Sequence, residues 1–329
     1  MKIFFLENSD IIFNGDSLNS NSIGGSERTL INISTELAKF NYDVFVFNNP
    51  TNEKIISNVK WHHIKSIKNF DNPDISIAMS DSNLLNLVKC PKKFVWSHSV
   101  ETIEKFIRKK QLLPFLKNKP VVLLEGNYHY KKRSLFTSLF GKYILKLAPD
   151  YDFINAKIDL EYIPNNNAIF TTRPDRNLSF LLECWHKIFS QTSNAKLYIN
   201  PPYKLSQSDI SRNVLLRKLS TKNELIIDLL QSKVMLVPGH KGEVFCLAAE
   251  EAKALCVPIV TMGFGSLSER VDHLKTGYIA KTKSEFINFA IDILNNNKTY
   301  LELKKNLMKI RGIRTYENVA SDLIKIIDK

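Results

Sequence analysis

Two glutamates eight positions apart, Glu243 and Glu251, flank the run Val244-Phe245-Cys246-Leu247-Ala248-Ala249-Glu250. A carboxylate accepts two hydrogen bonds side by side, so each could hold paired hydroxyls on the edge of a sugar or ribose. The apolar stretch before them reads as a buried strand ending at Pro238. A helix is then expected from about Glu243 or Val244, with the two carboxylates about 80° apart and the second two turns further on. The same pair also reads as one helix N-terminal charge and one solvent-facing Glu. One βα step later Gly263-Phe264-Gly265-Ser266-Leu267 follows a second strand, Pro258–Thr261. Its small residues would let backbone N–H groups approach a phosphate, and a helix beginning near Leu267 would turn its positive end toward it.

Such loops need strands to carry them. In the first half Ile3–Leu6, Val44–Phe47, Ile75–Ala78, Phe94–Trp96 and Val121–Leu124 are apolar on both faces, as strands buried between helix layers are. Between the first two lies a helical stripe with apolar residues at 30, 31, 33, 37 and 38. Strand, helix, strand is a βαβ unit, and its repetition implies a parallel sheet. A second series runs through Ala168–Thr172, Leu197–Asn200, Val214–Arg217, Val234–Pro238 and Pro258–Thr261, and the pattern is helical after Lys283. The turn-rich Tyr162–Asn167 separates the two series. A length of 329 residues suits two domains, and doubly wound domains bind ligands at the carboxyl ends of their strands.

Composition removes some classes. The four cysteines form no C-x-x-C pair, so they read as reduced, buried thiols of a cytoplasmic protein. No run is long and apolar enough to span a membrane, and Met1–Leu6 reads as a strand, not a signal peptide. No G-x-G-x-x-G follows the first strand, which argues against a dinucleotide oxidoreductase. The net charge of +13 is uneven: residues 103–146 hold eleven Lys/Arg against two acidic residues. That surplus fits a solvated basic face, nucleic acid or an anionic membrane. For the membrane reading, Phe136, Leu139, Phe140, Ile144, Leu145 and Leu147 interleave with Lys142 and Lys146.

Glu243-x7-Glu251-Ala252, Pro258-Ile259-Val260, Gly263–Arg270 and Thr276-Gly277-Tyr278 resemble, in order and spacing, the donor-binding half of retaining glycosyltransferase family 4. The resemblance is specific from about 162 to 280. It implies that Glu243 contacts donor-sugar hydroxyls, that Glu251 holds the ribose hydroxyls, and that Gly263, Phe264, Gly265, Ser266 and Leu267 contact sugar and diphosphate. Thr171–Leu178 resembles the family's loop after the first strand of this half, where a basic side chain neutralises the diphosphate; Arg176 fits best and Arg173 second. Cys246 and Asn177 stand where the family usually has Gly. Ile23-Gly24-Gly25-Ser26-Glu27 resembles the family's GG loop, which lets the backbone approach donor phosphate or acceptor; it also reads as a plain turn capped by Ser26. His98, closing Trp96-Ser97-His98, matches a position where a His faces the sugar. The stretch 314–320 resembles the terminal helix that crosses back to brace the N-domain.

The expected fold is therefore GT-B. It comprises an acceptor-side Rossmann-like domain (1–160), a nucleotide-sugar domain (161–310) and a bracing helix (311–329). The expected activity is retaining transfer of a hexose-type sugar from a nucleotide diphosphate to a hydroxyl of a glycan or lipid-linked acceptor. Glu243, His98 and Arg176 act at the reacting centre, and no cofactor or metal is required. Partners would be the donor, the acceptor and an anionic membrane face, with no nucleic acid. A nucleotide-sugar epimerase or hydrolase and a non-catalytic sugar-nucleotide-binding module are the alternatives. Asp150-Tyr151-Asp152 has the form of a metal-binding D-x-D but belongs to another architecture.

Overall fold

The computed structural model describes residues 1–19, 23–200, 203–218 and 221–329. Contacts divide the chain into two units, 1–147 with 316–329, and 148–315. The division falls at 147/148 where 160/161 was expected, because the intervening segment is held by the second unit. Phe153 is buried in that unit's core. Lys222 pairs with Asp150 at 3.4 Å, and Arg311 donates to the Phe153 carbonyl at 3.2 Å.

The first unit is built on eight strands: β1 (Lys2–Leu6), β2 (Asp43–Asn48), β3 (Lys54–Ile56), β4 (Val59–His63), β5 (Ile75–Met79), β6 (Lys92–Trp96), β7 (Val121–Leu124) and β8 (Lys142–Ile144). Their order is β3-β4-β2-β1-β5-β6-β7-β8, parallel except for β3 against β4. From β1 the sheet grows first toward β2 and then, from β5 on, in the opposite direction. The crevice at the carboxyl ends of β1 and β5 is therefore a topological switch point. Five of these strands match the apolar runs read from the sequence. The other three escaped because β3 and β8 are short with no fully buried residue, and β4 mixes Lys and His among its buried Val59 and Trp61. The helix Gly25–Lys39 buries Leu30, Ile31, Ile33, Leu37 and Ala38, the expected stripe. The last helix, Tyr316–Ile327, belongs to this unit; its Tyr316 hydroxyl lies 3.2 Å from Thr29 Oγ1.

In the second unit β9 (Asn167–Phe170), β10 (Lys196–Ile199), β11 (Val214–Leu216), β12 (Val234–Leu236), β13 (Ile259–Thr261) and β14 (Gly277–Ile279) form a six-stranded sheet in the order β11-β10-β9-β12-β13-β14. Every pairing is parallel. The core packs Phe170, Trp185, Met235, Leu267 and Phe286 around this sheet. Here the switch point lies between β9 and β12. Among the described residues, no helix is long and apolar enough to cross a membrane.

Candidate functional site

Three loops meet at the carboxyl ends of β9, β12 and β13. The first turns through Asn177, whose φ of +66° is left-handed. Asn tolerates that region better than most residues, and its Nδ2 donates to the Gly239 carbonyl of the second loop. The Gly usually found here is thus replaced without loss of the turn, and the side chain adds a tie between loops. Arg176 projects from this turn. Its Nε lies 3.0 Å from Glu243 Oε2, and Nη1 lies 3.3 Å from His240 Nδ1. The second and third loops approach closely because glycine lets them. A Cβ on Gly239 (φ +94°) would lie 2.6 Å from Leu267 Cδ1, and one on Gly265 (φ +68°) 2.4 Å from the His240 carbonyl oxygen.

The structure brings Arg176, Glu243 and the 263–267 loop together and corrects how they are carried. The helix after β12 is Leu247–Ala254, not a helix from 243 or 244. Cys246 has a φ of +64°, which breaks the helical path and leaves Glu243 in the loop. The Glu243 amide donates to the His240 carbonyl at 3.0 Å. The 80° relation between the two glutamates therefore does not hold; Glu251 alone rides the helix, 3% exposed. The helix expected near Leu267 is a five-residue 3₁₀ turn, Gly265–Glu269, too short to offer a positive end. Two amides of that loop are already engaged, Ser266 N–H on the Glu243 carbonyl at 2.9 Å and Gly263 N–H on Thr261 Oγ1 at 3.1 Å. Arg173 stays on the rim, 70% exposed and paired with Asp175 at 3.2 Å. Phe264, in the third loop, is exposed as well.

Behind these groups stands a buried network that the sequence reading assigned no role. Arg270 donates to Glu250 Oε1 at 2.9 Å and stacks over the Phe245 ring at 4.1 Å. Lys253 contacts both Glu250 oxygens at 3.1 Å. Burial alone would raise the Glu250 carboxyl, but Lys253 and Arg270 outweigh it and hold it below the usual range. Arg270 thus ties the strand-to-helix segment between Glu243 and Glu251 to the third loop. No spacing rule pairs positions 250 and 270; only the βα crossover brings them together. Burial pushes the Cys246 thiol well up, so it is an inert core sulfur.

In the first unit the helix begins at Gly25 with Gly24 as its N-cap, so Ser26 does not cap it. The Gly24 amide donates to Glu27 Oε2 at 2.9 Å. His98 follows β6, its Nδ1 2.5 Å from Glu125 Oε1 at the end of β7. The D-x-D reading fails on charge: Lys222 pairs with Asp152 at 2.5 Å as well as with Asp150. Among the described residues no three His, Cys, Asp or Glu could share a metal. In the basic stretch, Leu145 and Leu147 are buried, and Phe136 and Phe140 pack on Phe106 and Phe115. Of the residues expected to interleave there, Leu139 is the exposed one, at 61%.

Comparison with solved structures defines the fold. The chain resembles HepE of Anabaena in complex with UDP-glucose (TM-score 0.72, 13% identity, 100% of this chain and 99% of that one). It also resembles a sucrose-phosphate synthase from Thermosynechococcus elongatus (TM-score 0.71, 14% identity, 99% and 98%). A third is WaaG, a glycosyltransferase involved in lipopolysaccharide biosynthesis (TM-score 0.68, 12% identity, 99% of each). The fold is the GT-B fold of glycosyltransferases. Residues 173–309, the segment that carries the three loops of the site, match the family Glycosyl transferases group 1. No curated protein sequence matches the chain.

Proposed function

We propose that the protein transfers a hexose-type sugar from a nucleotide diphosphate to a hydroxyl acceptor, with retention of anomeric configuration and without a metal. The observation that carries this reading is the Arg176–Glu243 pair, 3.0 Å apart at the β9/β12 switch point, with Glu251 on the helix that follows. Glu243 offers an acceptor oxygen to a sugar hydroxyl, and Glu251 does the same for the ribose. Arg176 beside them supplies fixed positive charge where a departing diphosphate becomes more negative. Of the third loop, Gly265 and Leu267 keep a role as backbone near the donor, while the amides of Gly263 and Ser266 serve the loop itself. Gly24 and Gly25, at the start of the first unit's helix, are proposed to let the backbone approach a phosphate or the acceptor. With no carboxylate singled out as a nucleophile, a front-face displacement is the preferred retaining route. The test is thermal stabilisation by a panel of UDP-glucose, UDP-galactose, UDP-N-acetylglucosamine and GDP-mannose. A ligand at 100 times its Kd adds about 2.7 kcal/mol. A panel without any shift, in wild type and at millimolar ligand, would contradict the reading.

The acceptor is proposed to be a glycan or lipid-linked glycan at an anionic membrane face. Seven of the 21 exposed large apolar side chains among the described residues lie between 103 and 139, which favours lipid over nucleic acid. They include Ile107 at 59%, Leu113 at 77% and Leu135 at 83%, set among the lysines and arginines of the same stretch. Aliphatic side chains beside cations suit a lipid headgroup boundary. Flotation with vesicles of graded anionic content should show binding that falls with salt and with Leu135→Ser plus Leu139→Ser. Binding indifferent to anionic lipid would point to a soluble acceptor.

A further inference from the structure

We infer that Glu125 is a positioning residue for His98, fixing which ring nitrogen that histidine presents; the inference rests on the reading that His98 faces the donor sugar. The two side chains come from neighbouring strands, β6 and β7, which pair in parallel and end side by side. Glu125 is 3% exposed, so its carboxylate is removed from water and directed by its partners. His98 Nδ1 lies 2.5 Å from Glu125 Oε1. A carboxylate can only accept, so the proton of this bond belongs to Nδ1. The neutral ring is thereby held in the tautomer whose Nε2 carries a lone pair. That Nε2 is buried and has no hydrogen-bond partner among the described residues, although the side chain as a whole keeps 11% exposure. A buried polar atom left unsatisfied is costly and calls for an explanation. A hydroxyl of the bound sugar would supply the missing donor.

The surroundings support an arrangement built to hold this pair still. The His98 amide donates to Ser80 Oγ at 3.1 Å, and its ring lies against Trp96 with centroids 5.5 Å apart. On the other side the Glu125 amide donates to His129 Nδ1 at 3.2 Å. His129 is fully buried, and burial lowers its pKa, so it is neutral with its proton on Nε2, which donates to the Ser99 carbonyl at 2.9 Å. The loop 97–101 and the residue after β7 are therefore laced together by one histidine, so that the other is aimed.

The test uses the full chain labelled with ¹⁵N-histidine, with His98 assigned from His98→Gln. Two-bond nitrogen–carbon-proton correlations at alkaline pH report the tautomer directly. Wild type and Glu125→Gln, which keeps an acceptor oxygen, should show His98 with the proton on Nδ1. Glu125→Ala should move the proton to Nε2. With UDP-glucose, or the panel member giving the largest thermal shift, Glu125→Ala should lower kcat by about 10- to 100-fold, as loss of an orienting partner does. The loss should vanish in a His98→Ala background. An unchanged tautomer in Glu125→Ala, or effects that simply add, overturns the inference. Wild-type turnover by His98→Ala would instead remove His98 from the reaction and Glu125 with it; the tautomer readout separates the two failures.

Discussion

Removing the Glu250 carboxylate leaves the Arg270 guanidinium, 6% exposed, with Glu269 at 3.7 Å and the face of Phe245 as its remaining company. Breaking a buried pair from one side costs about 3–5 kcal/mol. With Glu269 still near, Glu250→Gln should fall at the lower end, about 3 kcal/mol. The second unit spans residues 148–315, a size at which each kcal/mol moves Tm by about 2–4 °C, so the expected loss is about 6–12 °C. Arg270→Met should cost a similar amount. The double variant Glu250→Leu with Arg270→Met should recover most of it, because an apolar pair replaces a buried ionic one at little net cost. Lys253 then loses its partner, but that pair is partly exposed and contributes less than about 1 kcal/mol. The carboxyl is depressed in the folded state, so its contribution is complete above the unfolded value of about 4.3 and is lost as pH falls through the folded one. Calorimetry should therefore show the Glu250→Gln deficit in full at neutral pH and closing below about pH 4. Single-variant shifts under about 3 °C, or a double variant equal to the sum of the singles, would refute the clamp.

Three further outcomes are expected. Glu251→Ala should weaken binding of the free nucleoside diphosphate by about 1.5–3 kcal/mol, roughly 10- to 150-fold by titration calorimetry, with the fold intact. Asn177→Gly should be tolerated, whereas Asn177→Val should destabilise by about 1–2 kcal/mol in thermal unfolding, since its left-handed φ and its bond to the Gly239 carbonyl both favour Asn. If Arg176 takes the place of a metal, as proposed, turnover should persist in excess chelator; complete loss restored by manganese would remove Arg176 from that role.

Much of the architecture was legible because its signals are local. Doubly apolar runs such as Val44–Phe47 announce strands covered on both faces, and the five strands of the first half read this way, like the five read in the second, are present. The small edge strands carry no such signal, and β14 was read only as part of the Thr276-Gly277-Tyr278 motif. The candidate site was legible as residue types in order, but not as geometry. Periodicity put Glu243 on a helix, and one left-handed residue, Cys246, took it off. The Glu250–Arg270 and His98–Glu125 pairs join positions 20 and 27 apart across strand crossovers. No periodicity encodes such distances. The apolar residues named for the basic stretch were mostly core, because its aromatic residues cluster around Phe106 and Phe115.

Glu243, Glu251 and Arg176 are proposed to hold a nucleotide sugar whose anomeric bond is exchanged with retention. Real-time proton NMR of the anomeric region tests it most directly, with an α-linked nucleotide sugar from the panel and water as surrogate acceptor in the presence of chelator. Wild type should consume the donor and release first the α-hexose, with its small axial–equatorial coupling, before mutarotation. Arg176→Ala should slow that release by about 100-fold or more, as loss of a fixed charge at the leaving group does. First appearance of the β-hexose, or unchanged turnover by Arg176→Ala, would contradict the account.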